Sequence, residues 1–455
     1  MALRRVMSAA ALVAALASCA ATGPAPRARG DAAMPDVAMR LPTTVPTPPR
    51  RSNAAMGRDY LDLVFMLESG REVPVLTRYE GPVTVSLEGP VPQTTRRDLA
   101  ELLARLRSEA GIDIREVPEG GTIRVISLPR KTMQNYVPTA ACFVAPNVSG
   151  WRDYLSARRS ERVDWASLRA RGPAAVFIPS DTAPQEVRDC LHEEIAQALG
   201  PLNDLYRLSD TIFNDDNFHG TLTGFDMLML RLHYAPELRN GMTRPEAALA
   251  VPRAIQRLNP RGGPAGALPM HYSDTTPRRF IDDIEAALGG RHDTGRRSAA
   301  ADATGLAVAM GWQDNRTAFA LYSLGRLSLS DDPREAVGAL AEAAGIWNSL
   351  GARVQVAHVD LYIAGLALQT DALAEAVALA DRSLPVAKAD GNAALVASLL
   401  AMKAAALARM GDAEGARRLR LDSAGWARYG FGSQAARRME DIAGLLPETT
   451  TEARR

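Results

Sequence analysis

The stretch Cys190-Leu-His-Glu-Glu-Ile-Ala-Gln-Ala-Leu-Gly-Pro-Leu-Asn-Asp204 constrains this chain more than any other. It predicts one helix stopped at Gly200-Pro201, with Glu193 and Gln197 four apart on a single face and Glu194 rotated beside them. Ahead of it lie β-rich runs at 122–127, 141–144 and 174–178, the last leading into Pro179 and a helix start near Thr182. After it come a turn-rich segment, 208–216, and a helical one, 222–234. Nearer the N-terminus, 60–68, 76–80 and 83–88 look strand-like. Leucines 99, 102, 103 and 106 then mark a helix ended by Gly111, and 112–117 returns to sheet. This order predicts an α+β domain and not a doubly wound one.

A metzincin zinc site has the form H-E-x-x-H-x-x-G-x-x-H. Here Glu193-Glu194-x-x-Gln197-x-x-Gly200-x-x-Asn203 resembles that frame with all three histidines replaced. The resemblance implies Glu194 as the one candidate catalytic residue and Glu193, Gln197 and Asn203 as metal-position equivalents. Starting one residue earlier, at His192, puts Ala196 at the second ligand, which has no atom to offer a metal. The competing view makes Glu193 and Glu194 the solvated face of an amphipathic helix. The order of mixed sheet, helix, glycine turn, later turn and last helix opening Leu222-Thr-Gly-Phe-Asp226 is similar to a matrixin-type, zincin-like domain, although 211–216 contains no methionine where that family has its Met-turn.

The chain also resembles an uncharacterised family of bacterial envelope lipoproteins, domain of unknown function 2927. The residues that carry this are Cys142-Phe-Val-Ala145, Cys190 to Asp204, Ile212-Phe-Asn-Asp-Asp216, Leu222 to Asp226 and Asn240-Gly-Met242, across roughly residues 57 to 262. That family has no established activity.

Residues 1–19 read as a lipoprotein signal peptide, with Arg4 and Arg5, an apolar core from Val6 to Leu16, and Leu16-Ala-Ser-Cys19 resembling a lipobox that implies acylation of Cys19. A plain signal peptide with an incidental cysteine is the alternative. Residues 20–56, with Pro42, Pro46, Pro48 and Pro49, read as a disordered tether. The expected location is the bacterial cell envelope, lipid-anchored and facing the periplasm, on the outer membrane; Ala20 rather than Asp follows the lipobox cysteine.

Setting Cys19 aside for lipid leaves Cys142 and Cys190, an even pair in an oxidising compartment, and a disulfide is expected between them. A nucleophilic or metal-binding thiol would need a suitably spaced histidine, which is missing. His192, His219 and His233 surround the central stretch, but none stands four from another, and they read as hydrogen-bonding residues. Asn214, Asp215 and Asp216 could supply oxygen ligands, or could cap a turn. Phosphate-loop, dinucleotide and nucleophile-elbow motifs are absent.

Fifty-three basic residues balance 52 acidic ones across 455, which gives no pull toward nucleic acid. Glycine and proline at 259–264 mark a boundary, residues 263–289 form a connector with a helix at 278–288, and 290–446 repeats. Leu321-Tyr-Ser-Leu-Gly325 recurs as Leu361-Tyr-Ile-Ala-Gly365, and Ala336 recurs as Ala376 and Ala416. The forty-residue period is similar to tetratricopeptide repeats, though longer, and implies a protein or peptide partner; a plain helical bundle that buttresses the first domain is the alternative. Two functions follow. One is a non-catalytic pseudopeptidase that binds or assembles envelope proteins, with no cofactor. The other is an atypical metal-dependent hydrolase of peptide or cell-wall material, which leaves a divalent metal open.

Overall fold

The computed structural model describes residues 48–138, 140–289 and 293–435, together with 438, 439 and 442. The signal peptide, Cys19 and the tether as far as residue 47 lie outside the described residues.

Folded structure starts with α1 (Asn53–Val64), whose N-cap Ser52 accepts a hydrogen bond from the Ala55 amide at 3.2 Å. The strand expected from Tyr60 is therefore helical. The pattern misleads because α1 is buried around most of its circumference, Asp59 and Asp62 included, so it lacks an amphipathic period. The segment 76–80 is not a strand either. It pairs with the turn at 240–242, through Leu76 N to Met242 O at 2.7 Å and Gly241 N to Leu76 O at 3.0 Å.

Five strands form one mixed sheet: β1 (Val83–Glu88), β2 (Ile114–Glu116), β3 (Ile123–Leu128), β4 (Phe143–Pro146) and β5 (Ala174–Pro179). Their spatial order is β2-β1-β3-β5-β4, all parallel except β4, which runs antiparallel to β5 at the edge. Every residue of β5 is buried, as a strand covered on both faces requires. Val176 and Ile178 enter the large core, whereas Ala175 and Phe177 join a second cluster with Phe143, Trp151 and Tyr154. α2 (Gln93–Arg105), extended by a π-turn to Ala110 and ended by Gly111 at φ 70°, and α5 (Pro184–Leu199) contribute to the large core. Two short helices, α3 (Arg130–Gln134) and α4 (Trp151–Ala157), contribute to the second. The remaining helices of this part are α6 (Gly224–His233), started by a Thr223/Asp226 capping box, α7 (Arg244–Leu258) and α8 (Arg278–Gly289).

The C-terminal region is helical: α9 (Asp293–Ala309), α10 (Asn315–Ser328), α11 (Pro333–Leu350), α12 (Arg353–Gln369), α13 (Leu373–Asp390), α14 (Ala393–Arg409) and α15 (Ala413–Phe431). α11, α13 and α15 begin at Pro333, Leu373 and Ala413, which is the forty-residue period of the sequence. The turns that follow α11 and α13 need positive φ, and Gly351 and Gly391 supply it at 72° and 73°.

The two regions share a core. Tyr206 and Phe218 pack into a cluster with Phe280, Trp312, Phe319 and Trp347. Among the described residues no helix is long and apolar enough to cross a membrane.

Candidate functional site

α5 opens with Pro184 at its first turn, where the missing amide costs nothing. Its start grips the turn between α13 and α14, through Arg188 Nη1 to Gly391 O at 2.9 Å and Gln185 Nε2 to Asn392 Oδ1 at 3.1 Å. Its middle is tied to the lead-in of β4 by the disulfide Cys142–Cys190, with Cα atoms 6.0 Å apart, as the cysteine count led us to expect. Its end is capped by the buried Arg171, which donates to the carbonyls of Gln197, Ala198 and Gly200 at 2.7 to 3.1 Å and stacks on Trp165 at 4.4 Å. Positive charge at a helix C-terminus is favourable, so this buried guanidinium both caps and neutralises. Gly200 is required by packing, because a Cβ there would stand 2.8 Å from the His233 ring.

On this helix Glu193 is half-buried and lines a small pocket with Asp189, Ile212, Asp215, Asn217 and His219. Glu194 is 4% exposed, and its Oε2 has no hydrogen-bond partner among the described residues. One oxygen of each glutamate and Cys142 Sγ all lie within 4.8 Å of one another, but that sulfur is spent in the disulfide. Gln197 is half-buried, one turn beyond Glu193. Asn203 is buried and donates its amide to Asp62 O at 3.0 Å and to the Tyr272 hydroxyl at 3.1 Å, so it ties the glycine turn to α1.

The electrostatics of the pocket are those of crowded carboxylates. Burial first, then Asp215, Glu68 and Asp189, push Glu193 up to about 8. Burial, then Glu193 and Glu68, hold Glu194 well above the usual carboxylate range. Asp204 is raised in the same way by burial and by Glu68, Asp215, Glu193 and Glu194. Glu68, Asp189 and Asp204 are the members that sequence reasoning missed. Asp204 closes the stretch that carries the motif, but nothing local marks Glu68, which arrives from the loop after α1.

The histidines are committed elsewhere. His192 Nδ1 accepts from the Leu222 amide at 3.1 Å. His233 lies between the Tyr60 hydroxyl at 3.0 Å and Thr77 O at 3.1 Å. His219 engages Asp390 at 3.0 Å and Ser209 O at 3.2 Å. Of the turn residues, Asn214 and Asp216 cap backbone groups of their own loop, whereas Asp215 accepts from the Tyr206 hydroxyl at 2.7 Å and has φ 56°.

Comparison with curated proteins and with solved structures gives no match. One family model does match, over residues 53–253, beginning at the first residue of α1. That model is described as Protein of unknown function (DUF2927), and the match supports assigning this α+β region to that family.

Proposed function

We propose that this protein is a non-catalytic binding or assembly component of the bacterial cell envelope, held to the outer membrane by lipid on Cys19 and facing the periplasm. In it a zincin-like domain serves as a recognition and support module, and the helical pairs supply a tetratricopeptide-like surface for a protein or peptide. The observation that carries this reading is the environment of Glu194. A general-base glutamate of a zinc peptidase acts on water whose pKa a cation held by imidazoles has lowered toward ~7. Each histidine around this helix is instead tied to a backbone or side-chain partner. Successive helix pairs with a fixed period favour the binding role, since such arrays present extended recognition surfaces.

The test is a panel of peptide and muropeptide substrates with added zinc, manganese or calcium, applied to wild type and Glu194→Gln. No turnover is expected from either protein. Turnover that Glu194→Gln abolishes with the fold intact would establish the second reading, an atypical metal-dependent hydrolase. That reading draws on the unpartnered Glu194 carboxylate beside an open pocket. Cys19→Ser tests the anchor: acyl labelling and membrane fractionation should both be lost.

A further inference from the structure

We propose that Glu193 and Glu194 bind a hard divalent cation of the calcium class, within a negative field completed by Asp204, Asp215 and Glu68. This site is not the H-E-x-x-H frame, in which Glu194 would be a base and Asn203 a ligand; here Glu194 is a ligand and the Asn203 amide serves α1.

Geometry comes first. Two oxygens at ~2.4 Å from one calcium ion can be no more than ~4.8 Å apart. The Glu193 and Glu194 carboxylates meet that limit. The second observation is Glu194 itself, buried to 4% exposure with Oε2 lacking any hydrogen-bond partner. A buried carboxylate without a donor forfeits its hydration and gains nothing in return, so such groups are paired or coordinate a metal. Asp204 Oδ1 is unpartnered as well.

No cationic side chain ranks among the groups that act most strongly on Glu193, Glu194 or Asp204; all of those are carboxylates. The one imidazolium on the pocket wall, His219, is held by Asp390 and Asp216. A divalent ion would convert this mutual repulsion into attraction, and the pocket beside Glu193 gives it a way in.

Donor chemistry selects the ion. The free donors at the site are carboxylate oxygens, since the His219 ring is engaged by Asp390 and the Ser209 carbonyl and the Cys142 sulfur is in the disulfide. Oxygen-only sets suit calcium, whose flexible coordination takes carboxylates and amides together, whereas zinc prefers nitrogen and sulfur. Occupancy does not depend on turnover, so failure of the substrate panel and failure of this proposal are separate results.

The experiment is titration of the full chain, stripped with chelator, with calcium chloride alone, followed by calorimetry and by melting temperature at pH 8. One site per chain and a rise in melting temperature are expected at or below about 1 mM calcium. Glu193→Gln and Glu194→Gln should each weaken binding by about tenfold or more. They should also raise the melting temperature of the calcium-free protein, because each removes a carboxyl that must either take up a proton or sit charged among other carboxylates in order to be buried. A purely structural role for these glutamates would lower it. Should either variant fail to fold, Asp204→Asn carries the same two readouts. Absence of heat and melting shift in wild type overturns the proposal. So does calcium binding that the variants leave intact, and so does stoichiometric zinc that calcium cannot displace.

Discussion

Asp62 is fully buried, and it accepts from Arg207 at 2.8 Å, Arg244 at 2.7 Å, the Ser273 amide at 3.1 Å and the Ser273 hydroxyl at 2.6 Å. Its neighbour Asp59 takes the other arm of Arg207 at 2.5 Å. The charges compensate only as a set. Asp62→Ala should cost about 3–5 kcal/mol in urea unfolding, because it leaves the half-buried Arg244 without its carboxylate and takes one of three from Arg207. A second residue-scale consequence concerns pH. Burial pulls the His219 pKa down, but the hydrogen bond and charge of Asp390, with Asp216 and Asp226, outweigh it and raise it to about 9. Because the folded value lies above the ordinary 6.5, the pair's stabilisation is complete below pH 6.5 and is lost as pH rises through about 9. Denaturant unfolding at pH 6.5 and at pH 9.5 should show Asp390→Asn costing more at the lower pH. Equal cost at both would contradict the charged pair.

At the scale of elements, the disulfide joins β4's lead-in to the middle of α5 across 48 residues. On chain-entropy grounds, replacing either cysteine with serine should cost about 4 kcal/mol, measurable as a lower urea midpoint for the oxidised protein. This link was legible beforehand, because a chain expected to be exported, with two cysteines left once Cys19 is set aside, has one way to pair them. β1, β3, β5, α5 and α6 were legible too, since their apolar period and their punctuation by Pro, Gly and capping residues agree. α1 was not: buried Asp59 and Asp62 interrupt the apolar face, and of the arginines that make them tolerable there, Arg207 and Arg244 lie far along the chain. The candidate site divides similarly. Glu193 and Glu194 stand out because one helix brings them together, but Glu68 and Asp204 join them through tertiary folding, which leaves no period to detect. The amide of Asn203 fits the motif by spacing, yet its partners on α1 and at Tyr272 appear only once the chain is folded.

For the whole molecule, the contact between the sheet domain and the helical region decides how it unfolds. Phe218 stacks edge-on against Phe319, Tyr322, Trp347 and His358, with ring centroids 4.9 to 5.7 Å apart. Asn315 ties the same place together, donating to Tyr206 O and Asp216 at 3.1 Å and accepting from Trp347 Nε1 at 2.8 Å. One cooperative transition is therefore expected, with tryptophan fluorescence and far-ultraviolet circular dichroism coincident. Phe218→Ala should cost about 3–5 kcal/mol. Two separated transitions in wild type would show that the regions melt independently.

That aromatic stack also bears on how the molecule behaves once its chain is broken. Phe218 belongs by sequence to the sheet domain and by packing to the helices, so continuity of the backbone between α8 and α9 is not what keeps the halves together. A protein nicked there should migrate as a single particle until denaturant is added, with its two pieces behaving as subunits of one fold.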